Sequence, residues 1–96
     1  MSIEHVTPAG ANIFEELGLE DSENLRLRAQ LMLEVRRYIE EKGLYQREAA
    51  ELMDTTQPRI SDVMKGRIDK CSIDRLVQML AKVGCHVKIT VESEAA

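Results

Sequence analysis

The run of residues 46–65 limits what this chain can fold into more than any other part of its sequence. It reads QREAAELMDTTQPRISDVMK. In its first half, Ala49, Ala50 and Met53 recur at helical spacing. The two small alanines allow a second helix to cross close above the first. The pattern predicts two short helices joined by a tight turn.

The turn between these helices is predicted at residues 54–56. A tight turn usually needs one residue with positive φ, and Asp54 tolerates that conformation better than most residues other than glycine. Thr56 is suited to cap the second helix, with its hydroxyl accepting a hydrogen bond from the Arg59 amide. Pro58 falls in the first turn, where backbone N–H groups have no helical partner. The second helix is therefore expected to begin at residue 57.

The second helix has one apolar and one polar face. Ile60, Val63 and Met64 form the inward stripe. An ordinary helical hairpin with a solvated face is the alternative interpretation, but Gln46 and the flanking Thr-Thr-Gln and Lys-Gly-Arg sequences favour DNA binding. The outward residues are donors and acceptors of the kind that read base edges: Gln57, Arg59, Ser61, Asp62 and Lys65.

Residues between 44 and 67 also carry a family resemblance, at Gln46, Glu48, Thr55, Thr56, Gln57, Ile60 and Gly66. In these positions the chain resembles the DNA-binding domains of lambdoid phage repressors and Cro, the Xre-type helix-turn-helix proteins. The flanking segments 12–19, 72–84 and 87–91 resemble small Xre-type antitoxins of the HigA kind, whose partner is a RelE/HigB-like toxin. The chain departs from the family at Ala49, Asp54 and Pro58, where a large aliphatic residue, glycine and often a polar reader are usual.

The resemblance implies an all-α fold, a lambda-repressor-like helix-turn-helix bundle of about five helices, with one C-terminal β-strand that pairs in a dimer. We expect an acidic arm with a short helix over 1–20, the DNA-binding domain over 21–84 with its motif at 46–65, and a dimerisation strand and tail over 85–96. The short helix is predicted at 12–17. The first long helix should run from Asp21 or Ser22 to Lys42, and the last from a Ser72 cap to Val83.

Residues 86–92 alternate between apolar and polar side chains, with Val87, Ile89 and Val91 on one face. This is the period of a half-buried strand. Because no other segment is predicted to be a strand, both of its edges lack a partner in the same chain. We expect antiparallel pairing with a second copy, as the resemblance also implies; a disordered or helical tail is the alternative. The homodimer would place two recognition helices about 34 Å apart on a palindromic operator.

The predicted contacts to the major groove of double-stranded DNA form two groups. Gln57 is expected to bond adenine and Arg59 to bind guanine, with base contacts also from Ser61 and Asp62, the latter to a cytosine amino group. For Ser61 and Asp62, simple solvation or helix capping stays open as the alternative. Phosphate contacts are expected from Gln46, Arg47, Thr56, Lys65 and Arg67.

The distribution of charge agrees with a nucleic-acid partner although the net charge is −4. Residues 1–25 carry six acidic side chains and no lysine or arginine, whereas residues 57–70 carry four basic and two acidic side chains. Positive charge is therefore concentrated at the predicted recognition helix. The acidic arm has the character of a segment that lies on a basic toxin; a solvating tail is the alternative.

Several classes of function are not expected from this sequence. No apolar run approaches the length of a membrane span and no signal peptide is recognisable, so we expect a cytoplasmic protein without membrane contact. Cys71 and Cys85 lack a Cys-x-x-Cys spacing, and His5 and His86 lie far apart, so no metal or other cofactor is expected. No arrangement of catalytic residues is apparent, so we do not expect an enzyme. A stand-alone Xre-type regulator without a toxin is the alternative function.

Overall fold

The computed structural model describes residues 22–93 in full and residues 2–5 as backbone. In these ranges the chain forms helices α1 (Ser22–Glu41), α2 (Gln46–Leu52), α3 (Gln57–Met64) and α4 (Ile73–Lys82). A 3-10 turn, Ile68–Lys70, lies between α3 and α4, and the strands are β1 (Ser2–His5) and β2 (Lys88–Val91). The predicted short helix at 12–17 lies outside the described residues. No helix in the described part of the chain is long and apolar enough to span a membrane.

Each of the four helices ends in the same way, at a residue with positive φ. These residues are Gly43, Asp54, Gly66 and Gly84, with φ of 61°, 54°, 72° and 82°. After α1, for example, Leu44 N–H donates to Ile39 O at 3.0 Å and Gly43 N–H donates to Glu40 O at 3.2 Å. This pair of bonds is a Schellman motif, which satisfies carbonyls that the helix end leaves without partners. The predicted ends of α1 and α4 are confirmed to within one residue.

A single hydrophobic core holds the four helices together. Within α1, Leu31, Val35 and Ile39 are buried, and Leu27 and Tyr38 are half-buried beside them. Burial of each large apolar side chain contributes about 1.5–3 kcal/mol. The fully buried residues of largest volume come from every part of the bundle: Leu31, Val35, Met53, Ile60, Leu76 and Leu80. The core therefore fixes the relative positions of α1, the helix pair and α4.

The C-terminal strand has a partner in its own chain. β2 pairs in parallel with β1, with Ser2 opposite Lys88 and His5 opposite Val91. The expectation that no other segment forms a strand is wrong, because a four-residue strand is too short to show an alternating pattern and its partner lies at the other end of the chain. The pairing occupies one edge of β2. Pairing of the other edge with a second copy stays a prediction.

The three apolar residues predicted for the strand face have different environments. Val87 is half-buried and packs against the core. Ile89 and Val91 lie in β2 and are 62% and 78% exposed. Large apolar side chains this exposed on a strand are typical of an interaction surface.

Candidate nucleic-acid interface

The two helices of the motif are joined by a turn centred on Asp54. Its φ of +54° confirms the predicted left-handed residue. Thr55 N–H donates to Ala50 O at 2.9 Å, and Asp54 N–H donates to Glu51 O at 3.3 Å, which closes α2. Because Asp54 occupies the position that the resemblance assigns to glycine, its carboxylate is available for another contact. It lies 3.7 Å from Lys82 Nζ, which ties the turn to α4.

The crossing of α2 and α3 depends on the two alanines. Ala49 is completely buried and Ala50 is 6% exposed. Ile60 of α3 is also completely buried. A larger side chain at either alanine would push α3 outward, because the interior is closely packed. The predicted close crossing of the two helices is confirmed.

Helix α3 begins at the predicted residue but without the predicted hydrogen bond. Thr56 is the N-cap residue, in an extended conformation, and Pro58 lies in the first turn. The Thr56 hydroxyl accepts no hydrogen bond from the helix, so the proposed bond from the Arg59 amide is wrong. Pro58 already fixes φ at the helix start, so the start of α3 does not depend on a side-chain cap. By contrast, Ser72 Oγ accepts a hydrogen bond from Arg75 N–H at 3.3 Å at the start of α4.

Helix α2 begins at Gln46, directly after an exposed Tyr45. Glu48 Oε1 accepts a hydrogen bond from Tyr45 N–H at 2.9 Å, which satisfies one of the donors at the helix start. Gln46 is half-buried and Arg47 is exposed. The two predicted phosphate-binding side chains of α2 therefore lie together at its N-terminus.

The exposed face of α3 has the predicted composition. Ile60 and Val63 are buried and Met64 is half-buried, which confirms the inward stripe. The side chains that are predicted to contact DNA are exposed or half-buried. The exposed ones are Gln57, Arg59 and Lys65, and the half-buried ones are Ser61 and Asp62.

The C-terminal end of α3 brings two predicted DNA contacts together. Arg67 N–H donates to Asp62 O at 2.9 Å, and Gly66 N–H donates to Val63 O at 3.0 Å. This closure places Arg67 Nη1 3.6 Å from Asp62 Oδ1. The Asp62 side chain is 23% exposed and that of Arg67 is 55% exposed. The carboxylate of Asp62 therefore faces a guanidinium, a pairing that the helical repeat did not indicate because Arg67 lies beyond the helix.

A basic groove lies between α3 and the start of α4. Its volume is about 540 Å³. Four of its lining residues are cationic, namely Arg28, Arg59, Lys70 and Arg75, and two are acidic, namely Asp69 and Asp74. The sequence predicted a base contact for Arg59 and placed Lys70 in the basic segment 57–70, but it indicated no role for Arg28 or Arg75. Arg28, Lys70 and Arg75 belong to three segments that only the folded chain brings together.

Arg28 connects α1 to the segment that follows the recognition helix. Its Nη1 donates to Ile68 O at 2.9 Å, across 40 residues of sequence, and its Nη2 donates to Asn24 Oδ1. The Nε atom of Arg28 is buried and has no hydrogen-bond partner in the described part of the structure. The guanidinium is therefore held in place at two of its three nitrogens.

Cys71 lies buried beneath this groove as a neutral thiol. Burial raises the pKa of the Cys71 thiol, Asp62 and Asp69 raise it further, and Arg28 lowers it. The thiol donates to Arg67 O at 3.5 Å. Both cysteines are free. Across residues 22–93, no group of His, Cys, Asp and Glu side chains is arranged to hold a metal ion.

Comparison with known proteins gives one family. A family model described as a helix-turn-helix domain matches residues 13–92. The matched range includes all four helices and β2. No curated protein matches the chain.

Proposed function

The chain belongs to the helix-turn-helix domain family, and on that premise we propose that it is a sequence-specific DNA-binding transcriptional repressor rather than an enzyme. The observation that carries the proposal is the geometry of α3. Its buried Ile60 and Val63 seat it on the core, while Gln57 and Arg59 in its first turn are exposed to solvent. A rigid helix that presents amide and guanidinium groups is the usual means of reading the major groove.

Base contacts are proposed for the exposed residues of α3. Gln57 would make paired hydrogen bonds to adenine, and Arg59 would do so to guanine. Ser61 would add a contact from the same face. Asp62 would reach a cytosine amino group only by sharing its carboxylate with Arg67, so its contribution to specificity is smaller than that of Arg59 in this proposal.

Phosphate contacts are proposed on both sides of the recognition helix. Gln46 and Arg47 are at the start of α2, and Thr56, whose hydroxyl is not used by the helix, is at the start of α3. Lys65 and Arg67 follow at the end of α3. Contacts at both ends of the helix would fix its register in the groove.

A two-fold dimer is proposed as the DNA-binding form. One recognition helix covers only a few base pairs, and a second one in a symmetric copy doubles the contacts over a palindromic operator. The support is the exposed face of β2, where Ile89 and Val91 lie beside an edge that β1 does not occupy. Burial of these two side chains against a second copy would remove them from water.

As a more specific role, we propose that the chain is an antitoxin of the HigA type. Such an antitoxin represses its own operon and neutralises a RelE/HigB-like toxin. Its support is the acidic composition of residues 1–25 and an apolar surface on α1. Leu33 is 53% exposed there, beside a groove of about 290 Å³ lined by Ala29, Met32, Val63 and Ile68 among others. A stand-alone Xre-type regulator is the second candidate, and the fold supports it equally.

Selection of binding sites from random duplex DNA tests the repressor proposal. We expect an inverted repeat to be enriched, and Arg59→Ala to lose about 1–3 kcal/mol of binding free energy and to relax the preference at one base pair per half-site. Arg37→Ala is the matched control, because Arg37 is an exposed arginine of α1 that pairs with Glu34 at 3.1 Å. Unchanged affinity and specificity in Arg59→Ala would remove this residue from the interface.

Toxin binding requires a separate experiment. The reading frames beside this one are first examined for a small basic protein, and that protein is titrated with the full chain and with a chain that lacks residues 1–20. Loss of affinity on truncation would support the arm as the toxin contact. Unchanged affinity would place the interface elsewhere, and absence of any binding would favour the stand-alone regulator.

A further inference from the structure

We infer that the basic groove is an additional site for a DNA backbone phosphate, with Arg28, Lys70 and Arg75 as its ligands. The inference rests on the proposed function, because it extends the DNA contact beyond the helix pair. None of the three residues lies in the motif at 46–65. They come from α1, the 3-10 turn and α4, so the site exists only in the folded chain.

The cations of this groove lack the ion pairs that several other cations of the described residues form. Arg36, Arg37, Arg67 and Lys82 each lie within 3.1–3.7 Å of a carboxylate oxygen. By contrast, no carboxylate in the described residues forms an ion pair with Arg28, Lys70, Arg75 or Arg59. Asp69 and Asp74 line the groove but leave it with an excess of positive charge. An unneutralised cluster of this kind attracts a phosphate group.

The guanidinium of Arg28 is held in one position in the groove. It is anchored to Ile68 O and Asn24 Oδ1, and Nε is buried without a partner among the described residues. Most arginine side chains lose rotamer freedom when they bind an anion. Because Arg28 has already lost much of that freedom on folding, its contact with a phosphate costs less.

The start of α4 adds to the positive potential of the groove. Ser72 and Ile73 line the groove at the beginning of a ten-residue helix. Helix N-termini carry partial positive charge and unpaired N–H groups, and Ser72 Oγ satisfies only the Arg75 donor. This contribution strengthens a site that the side-chain cations already define.

The position of Arg59 favours DNA over a free anion as the occupant. Arg59 lines the groove and also belongs to the exposed face of α3. The groove therefore opens beside the surface that reads bases, where the DNA backbone passes at the edge of the major groove.

Salt dependence of DNA binding tests the inference. The affinity of the full chain for a random-sequence duplex and for the selected operator is measured over a range of salt concentrations. Loss of one phosphate contact lowers the slope of log affinity against log salt by about 0.9. Because three cations share one phosphate, we expect Lys70→Gln and Arg75→Gln each to reduce the slope measurably on both duplexes, by at most about that amount. When one full phosphate contact is missing, the fall in affinity between 50 and 200 mM salt becomes about 3.5-fold smaller.

Three controls make the result specific to the groove. Arg37→Gln changes the net charge equally and should keep the wild-type slope. Arg28→Lys retains the charge and should also keep it, whereas Arg28→Gln should not. Because Arg28 binds Ile68 O, the melting temperature of both variants is measured, and the exposed Lys70 gives a test that does not depend on that bond.

Wild-type slopes in both Lys70→Gln and Arg75→Gln would overturn the inference. If inorganic phosphate raises the melting temperature of the wild type and not of these variants while their slopes are unchanged, the groove is a free-anion site and the assignment to DNA is wrong. Failure of the proposed function looks different: the wild type then binds duplexes without sequence preference, or does not bind them.

Discussion

Substitution of Asp54 measures how much the turn of the motif depends on its left-handed residue. Asp54 has φ of +54°, and its Oδ2 lies 3.7 Å from Lys82 Nζ. We expect the free energy of unfolding to be lower in Asp54→Ala than in Asp54→Asn by about 1 kcal/mol. Both variants lose the ion pair, so the difference between them reports the backbone conformation alone.

Two contributions to the free energy of unfolding set this magnitude, namely the cost of the left-handed backbone and the ion pair with Lys82. A left-handed conformation costs an ordinary L-residue about 1–2 kcal/mol, and asparagine or aspartate recovers part of this by local hydrogen bonding. The ion pair is weak, because the Lys82 and Asp54 side chains are 57% and 78% exposed. Its loss should cost less than about 0.5 kcal/mol. The backbone contribution is therefore the larger one at this position.

Asp54→Gly distinguishes backbone strain in the folded chain from the conformational entropy of the unfolded chain. Glycine removes the cost of positive φ but increases the entropy of the unfolded chain, which lowers stability by about 0.4–1 kcal/mol. We expect this variant to lie within about 1 kcal/mol of the wild type, and above Asp54→Ala.

Thermal unfolding followed by circular dichroism is the assay, and 1 kcal/mol corresponds to about 4–8 °C in a domain of this size. Lys82→Gln serves as the control for the ion pair. If Asp54→Ala and Asp54→Asn melt at the same temperature, the reasoning about the left-handed turn is wrong.

Three further predictions concern the core, the helix starts and the thiols. Ile60→Ala removes a completely buried side chain and should cost about 2–5 kcal/mol in urea unfolding; a cost below about 1 kcal/mol would mean that α3 is not seated as described. Ser72→Ala should cost about 0.5–2 kcal/mol, and Thr56→Ala less, because only Ser72 caps its helix through its hydroxyl; equal losses would contradict this. Iodoacetamide at neutral pH should label Cys71 more slowly than Cys85, because Cys71 is the more buried thiol and its raised pKa reduces its thiolate fraction; mass spectrometry that finds Cys71 labelled first would refute it.

The helices could be predicted from the sequence because their ends are determined locally. Gly43 and Gly84 supply positive φ at the ends of α1 and α4, Asp54 does so after α2, and Ser72 caps α4. Each of these signals involves residues within one helical turn of the boundary. The inward stripe of α3 could be predicted for the same reason, since its period is set by the helix itself.

The features that the sequence did not indicate depend on residues far apart in the chain. The pairing of Ser2–His5 with Lys88–Val91 joins the two ends of the described chain, and Arg28 reaches Ile68 across 40 residues. The ion pair between Asp62 and Arg67 forms across a turn, where helical periodicity gives no information. The burial pattern of α3 could therefore be predicted from the sequence and the contacts around it could not, while the DNA contacts of the named residues stay predictions.

If the exposed Ile89 and Val91 are covered in the proposed dimer, the stability of this protein depends on its concentration. Any partner that binds the folded chain and not the unfolded chain stabilises it by mass action, by about 2.7 kcal/mol when the free partner is at 100 times its dissociation constant. If a second copy covers β2, the melting temperature must rise with the protein concentration. At low protein concentration, the folded population and the dimeric population would then decline together.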